Sequence, residues 1–362
     1  MFDHFKALLL QGFFMCVSIS ALAVDFESHP ANTLWFSLSS DNYSESFSIG
    51  DLYNDNPQFA KQGEIIYSFS QWQYGYQIND YIALGFIRGL DIYAKHSSSA
   101  ADIYYLTNTK DEKIEDGDYL FTLNADVQRT QGLFVALNTQ VCNLSVTALL
   151  EGGQVFGLTA VDVNGNVRYQ EEQLAGTLDI DYYYESDALY GRKLTSTPEG
   201  RYWSLSLKFE YASRYGQHLL MVKDAVNETY WSNAPRTQAT LNTDRIVNID
   251  NDGIITVRPL GSGRESFTHK TQIFPARIEF KNYLDVSQKV ALIVGLKAID
   301  ENTWPFIGTR INHLDMNVSY HINEQSISIE HGLNSNFRYQ LAVDKLSSQN
   351  AQRLQLGLEV SY

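Results

Sequence analysis

The chain has 362 residues, 44% of them hydrophobic and only 19% charged, which is ample material for one large closed sheet. The formal charge is −15 at pH 7 and no Lys/Arg cluster offsets it, so nucleic acid is set aside as a partner. Tyrosine (23) outnumbers phenylalanine (19), and a ring with a polar tip suits a membrane–water boundary better than a dry core.

Residues 1–23 read as a signal peptide. Lys6 supplies the positive start and the run from Ala7 to Ser20 is the right length for its apolar centre, too short to cross a bilayer. Ala21-Leu22-Ala23 gives a small-x-small pattern, so cleavage is expected after Ala23. Phe13, Phe14 and Met15 before Cys16 are too bulky for a lipoprotein site. With Cys16 in the leader, Cys142 stands alone in the mature chain. One thiol makes neither an internal disulfide nor a metal site, so it reads as a small apolar residue, buried or facing lipid. No metal or cofactor is expected.

From Thr33 onward the dominant period is two. Tyr119, Phe121, Leu123, Ala125 and Val127 alternate with Thr122, Asn124, Asp126 and Gln128. Trp203, Leu205, Leu207, Phe209 and Tyr211 alternate with Ser204, Ser206, Lys208 and Glu210. Val290 to Leu296 and Leu314 to Ile322 behave in the same way. Such segments run about ten residues, the length that a tilted strand needs to cross hydrocarbon. Asn164-Gly165 carries a type I′ hairpin signal, and Asn79-Asp80, Asn323-Glu324 and Gly332 to Ser335 read as further turns. The stretch Ser232–Lys270 reads as one long connection that partly occludes the barrel, with a small hairpin around Asp250-Asn251-Asp252-Gly253. Arg236, Arg245, Arg258 and Arg264 would pair there with lumenal acids. The Asp250 segment lacks the further carboxylates that a calcium loop needs.

The last strand is the most specific feature. Leu354, Leu356, Leu358, Val360 and Tyr362 alternate with Arg353, Gln355, Gly357, Glu359 and Ser361. This resembles the closing strand of Gram-negative outer-membrane β-barrel proteins, in which alternate apolar residues and a final aromatic are read by the barrel-assembly machinery. The usual final residue there is Phe, so Tyr362 departs mildly. The resemblance implies an all-β fold: residues 24–362 form a single closed antiparallel transmembrane β-barrel of about 12–16 strands, with about fourteen as the best value. It also implies a place in outer-membrane lipid. Counting strands back from the end puts Ser232–Lys270 on the periplasmic side, against the rule that long loops lie outside. One further strand near Trp304–Ile311 would remove the conflict.

Charges opposite the apolar stripes would cost about 2–4 kcal/mol each near the bilayer midplane, so they are expected to line the lumen. The candidates are Asp179, Asp181, Lys208, Glu210, Arg277, Glu279, Lys281, His313, Asp315 and Arg338. Asp179-x-Asp181 facing His313-x-Asp315 would resemble the water-activating group of omptin proteases, although the surrounding residues do not match that family. Neither Gly-x-Ser-x-Gly nor His-Glu-x-x-His occurs. The expected function is a passive channel for a small solute. The alternatives are a structural or assembly barrel that anchors a surface polymer or export system, and a lumenal hydrolase.

Overall fold

The computed structural model describes residues 29–362 except 55–60, 109–114, 171–172, 188–190, 192–193, 195–196, 243–246, 250–254, 258–260, 335 and 348–349. The expected signal peptide, its cleavage site and Asp250 to Gly253 lie outside the described residues.

The first strands are β1 (Thr33–Ser44), β2 (Ile65–Asn79), β3 (Ile82–His96), β4 (Gly117–Val141) and β5 (Leu144–Gln170). Then come β6 (Gln173–Tyr184), β7 (Glu199–Ser213), β8 (Gly216–Asn242), β9 (Val247–Ile249), β10 (Ile255–Val257) and β11 (Gly261–Gln272). The last are β12 (Arg277–Ser287), β13 (Val290–Ile299), β14 (Asn302–Ile311), β15 (Met316–His321), β16 (Ser326–Asn334), β17 (Phe337–Val343) and β18 (Arg353–Ser361). Two helices, α1 (Ile49–Asn54) and α2 (Ser98–Asn108), sit in the connections β1–β2 and β3–β4.

Fourteen strands close an antiparallel barrel. Neighbours in sequence pair from β1 to β5, then β5 pairs β7, β7 pairs β8 and β8 pairs β12, after which the order runs on to β18. The ring shuts where β18 pairs β1 from Trp35↔Ser361 to Tyr43↔Arg353. Closure satisfies every strand edge, the condition for a sheet in hydrocarbon. The additional strand near Trp304–Ile311 exists as β14, paired with β13 and β15. Tight turns therefore follow Asn79, Val141, Ser213, Ser287, Ile311 and Asn334 at the end where β1 starts and β18 stops, hereafter the turn end. The long connections lie at the other end, the loop end.

The walls have unequal height. Strands β4, β5 and β8 have 25, 27 and 27 residues, whereas β13 and β14 have 10 each. At a rise of about 3.3 Å per residue the long strands measure about 80–90 Å, far more than about 30 Å of hydrocarbon needs even when tilted. Their upper halves join β6 and β11 in a sheet that stands above the barrel, with β6 paired to both β5 and β8 and β11 paired to β8.

Two readings of the sequence are corrected here. Asn164-Gly165 is no turn: both residues lie within β5, opposite Asp179 and Leu178 of β6. A Cβ on Gly165 would stand 2.0 Å from the Thr177 carbonyl oxygen, so the glycine serves a close strand approach. Ser232–Lys270 is no occluding loop: Ser232–Asn242 completes β8, and β11 pairs it from Gly261↔Leu241 to Gln272↔Thr229. The small hairpin exists as β9 paired to β10.

The outer surface is apolar over the height of the turn-end half. Leu133, Leu137, Leu150, Trp203, Val226, Val294, Leu296 and Ile307 are exposed there, whereas Ser204, Ser206, Lys208 and Ile293 on the opposite face are buried. Tyr74, Tyr76, Tyr81, Tyr211, Tyr215 and Tyr362 form an exposed tyrosine girdle at the turn end. The Tyr119–Val127 stripe differs. Phe121 and Leu123 are buried with Ala100 and Ile103 of α2 and with Val161, Val163, Ile180 and Tyr182 of the standing sheet. Ser48 accepts the Asp51 amide at 2.9 Å and Ser97 accepts that of Ala100 at 3.2 Å, which caps the two helices. Cys142 lies exposed in the turn between β4 and β5, with φ +54°, and is neither buried nor on the apolar belt.

Candidate functional site: a layered lumen

Three layers fill the interior from loop end to turn end. The first is aromatic. Tyr43, Tyr67, Phe69, Tyr93, Phe274, Ile299 and Trp304 form one buried cluster drawn from β1, β2, β3, β13, β14 and the segment before β12. Trp304 meets Tyr43 edge-on at 5.6 Å and Tyr67 at 5.9 Å. At the rim above them, Lys95 pairs with Asp300 and Tyr93 donates to the same carboxylate at 3.0 Å, which ties β3 to the β13–β14 turn across the opening. The Lys95 hydrogen bond holds the Asp300 carboxyl below the usual range.

The second layer is ionic. Arg353, with no exposed surface, pairs with Asp41 and at 3.1 Å with Glu324. Lys297 reaches Asp41 at 2.5 Å and donates to the Tyr67 hydroxyl at 2.5 Å. On the facing wall Arg277 pairs with Asp224 and stands 4.3 Å over the Phe69 ring. Asp224 is held by a break in the β7–β8 ladder, where Val226 opposes Leu205 and Val222 opposes Leu207. Three residues of β8 thus face Ser206 alone, and Asp224 takes φ +53°. Ser204 donates to its carboxylate at 2.5 Å, while Gln128 of β4 donates to the nearby Asp91 at 3.2 Å. Opposite charges and hydroxyls share this layer, as buried charge requires.

Below lies a small cavity of about 80 Å³ lined by Arg277, Glu279, Lys281, Lys297, Phe306 and His321 among others. A second space of about 390 Å³ shares Tyr283, Asn317 and Glu330 with it and carries Lys208, Glu210, Arg310, Asp315 and Arg338 at the turn-end mouth. Lys281 pairs with Glu279 at 3.0 Å, Lys208 with Glu210 at 3.2 Å, and Asp315 stands between Arg310 and Arg338 at 3.3 and 3.8 Å. Among the described residues the aromatic and ionic layers thus fill the interior toward the loop end, and the larger space lies toward the turn end. Beside these spaces the wall is dry: Trp35, Ile87, Phe134 and Leu149 pack together. Inward glycines make room for flat rings, since a Cβ on Gly85 would stand 2.4 Å from the Phe134 ring and one on Gly295 2.1 Å from that of Phe306.

Lys208, Glu210, Arg277, Glu279, Lys281, Asp315 and Arg338 therefore line the barrel interior. Asp179 and Asp181 stand well above it, on a concave face of the tall sheet with Asp162 and Arg264. Arg236 grips Asp181 there through two hydrogen bonds, at 2.7 and 2.6 Å. Arg245 and Arg258 lie outside the described residues. His313 is exposed in the β14–β15 turn, outside the lumen. The two Asp-containing pairs thus occupy opposite ends of the molecule, and no omptin-like group forms. Asp41, Asp91, Glu151, Asp224, Lys297 and Glu324 were not singled out from sequence. Asp91 and Lys297 keep alternation with apolar neighbours, which was the available signal, whereas Asp41 stands between Ser40 and Asn42. Asp224 sits in a bulge that breaks it.

The fold and its interior define a class: a closed antiparallel barrel, apolar outside at membrane height, with a charged lumen stopped by an aromatic lid. No family model and no curated protein matches the chain. Among solved structures it is similar to the toluene transporter TodX of P. putida, at 11% identity over 92% of this chain and 89% of that one, with a TM-score of 0.33. A TodX deletion variant described as a monoaromatic hydrocarbon channel gives 10% identity, 92% and 90% coverage and a TM-score of 0.37. The Ralstonia pickettii toluene transporter TbuX gives 8%, 92% and 89%, and 0.27. Likeness at this level is one of general barrel architecture, and the solutes named belong to those channels.

Proposed function

We propose that the protein is a passive, gated channel for a small solute across the outer membrane of a Gram-negative bacterium. The apolar belt bounded by a tyrosine girdle supports the membrane setting. With tight turns periplasmic and long connections outside, the turn end faces the periplasm. The observation that carries the channel reading is the pair of adjoining charged spaces that lead from the turn-end mouth toward the ionic layer. A barrel needing only rigidity is better served by an apolar interior, because burying ion pairs in place of packed hydrophobes is often neutral or unfavourable. The solute is one that tolerates paired charges on the wall and passes when the Phe274–Trp304 layer parts.

A second reading keeps one observation of its own: Arg353 is completely enclosed, as befits a barrel whose interior only holds its walls together. Reconstitution separates the two. The channel reading expects low single-channel conductance in a planar bilayer, and a several-fold rise when Phe274 and Trp304 are both replaced by Ala. Silence of both proteins, each shown to be folded by its heat-modifiable migration, would leave the structural barrel as the better account.

A further inference from the structure

Just above the apolar belt the outward face changes character over four adjacent strands. Arg88 of β3 stands opposite Gln131 of β4, Gln131 opposite Gln154 of β5, and Gln154 opposite Arg201 of β7. Residues directly opposed in a ladder share a face, so these four side chains form one row. Three strand spacings of about 4.8 Å give it a span of about 14 Å. Arg129 lies on the same face of β4, two residues further toward the loop end and opposite Phe156. Trp72 of β2 stands directly beside Arg88, and below the row the same faces carry Phe86, Leu133 and Trp203, so the arginines sit at the upper border of the belt.

Arg88, Arg129 and Arg201 make no hydrogen bond or ion pair with the protein among the described residues, unlike Arg277, Arg353, Arg236 and Arg168, which each hold a carboxylate. The acids nearest Arg201 on this face are Glu199, two residues away on β7, and Glu228, opposite Trp203 and diagonal to Arg201. Three guanidiniums that form no ion pair on one outward patch of a chain with net charge −15 are not explained by solubility. Guanidinium forks match phosphate oxygens bidentately, and the two glutamines between them offer amides to sugar or phosphate oxygens.

We infer that this row is a binding site for the phosphorylated head group of an outer-leaflet glycolipid. The acyl chains would lie on Trp72, Phe86 and Leu133, while Arg88, Arg129 and Arg201 hold phosphates spaced along the row. The inference rests on the outer-membrane reading above and fixes which wall of the barrel holds an annular lipid.

The test uses the folded, full-length mature protein in mild detergent, titrated with bisphosphorylated lipid A and followed by native mass spectrometry. One-to-one adducts are expected, weakened at least about tenfold with dephosphorylated lipid A and in the Arg88→Gln/Arg129→Gln/Arg201→Gln variant. The corresponding triple Lys variant should recover part of the affinity, because the charge is kept while the fork is lost. Heat-modifiable migration checks that every variant is folded. Equal adducts in the Gln variant, or with the dephosphorylated lipid, would overturn the site. So would inorganic pyrophosphate that binds as tightly as the lipid and displaces it, since the source would then be a soluble phosphate. Membrane fractionation is scored separately: a chain absent from the outer membrane sinks the setting, whereas a correctly sorted barrel without adducts sinks only this site.

Discussion

Arg353 shows what a single residue does in this barrel. It comes from the closing strand yet binds Asp41 of β1 and Glu324 of the β15–β16 turn, so one guanidinium ties the seam to its neighbours on both sides. Removing one partner of a buried ionic group leaves the others uncompensated, at a cost of about 3–5 kcal/mol. Arg353→Met is therefore expected to lower the midpoint of urea unfolding, followed by tryptophan emission in vesicles. The double change Arg353→Met/Asp41→Asn should lose less than the single one. If the double variant falls further, the charge is not what matters at that site. Gly295→Val is expected to be as harmful, because its branched side chain meets the Phe306 ring, and Phe306→Ala should partly rescue it. The Lys95–Asp300 tie at the rim is a milder matter, worth under about 1 kcal/mol because both side chains are part-exposed. Its sign follows from the lowered Asp300 carboxyl: the contribution is present above the ordinary carboxylate range and is lost as pH falls through the lowered value. Rim opening, read as conductance, should therefore rise in acid and lose that dependence in Asp300→Asn.

The element with the most legible role is β18. Its apolar positions face out in register with β1 and β17, for example Leu358 against Leu38 and against Tyr339. Deleting Leu354–Tyr362 removes the closing strand and leaves two unpaired edges, each unmet backbone group costing several kcal/mol in hydrocarbon. Such a chain should fail to show heat-modifiable migration on a gel, whereas Tyr362→Phe should assemble normally. The β8–β11 pair makes the opposite point. Because Gly261 is already registered on Leu241, joining Asn242 to Gly261 by a short Gly/Ser turn in place of 243–260 should leave assembly and conductance unchanged. A marked rise in conductance would return that segment to the part of a plug.

At the scale of the whole molecule, the barrel is asymmetric in height and in filling. The tall wall of β4, β5 and β8 carries a sheet that stands clear of the belt, with α2 packed on its outer face and Asp162, Asp179 and Asp181 on its concave one. Among the described residues the lumen is filled near the loop end and roomier toward the turn end. The expected consequence is directional access: a membrane-impermeant thiol reagent should label a cysteine placed at Ser319, in the lower cavity, from the turn-end side of oriented vesicles. Equal labelling from both sides would mean that the aromatic layer does not hold.

The sequence by itself determined the period-two chain, the apolar outer face, the closing strand and the strand number, because each follows from side chains that alternate across a pleat against hydrocarbon. It also placed charges such as Lys208, Arg277 and Lys281 inside, since lipid would not accept them. Tertiary structure decided what the alternation rule cannot see. The same two-residue period serves a strand in a membrane and a strand in the tall sheet, so Tyr119–Val127 and Ser232–Lys270 were misplaced. Asn164-Gly165 has the chemistry of a turn, yet close approach to Thr177 needs the same missing Cβ. Which charges meet is fixed by closure and shear of the ring, which bring Arg353 to Glu324 and keep Asp181 far from His313. No local pattern encodes those distances, because they are set only when β18 returns to β1.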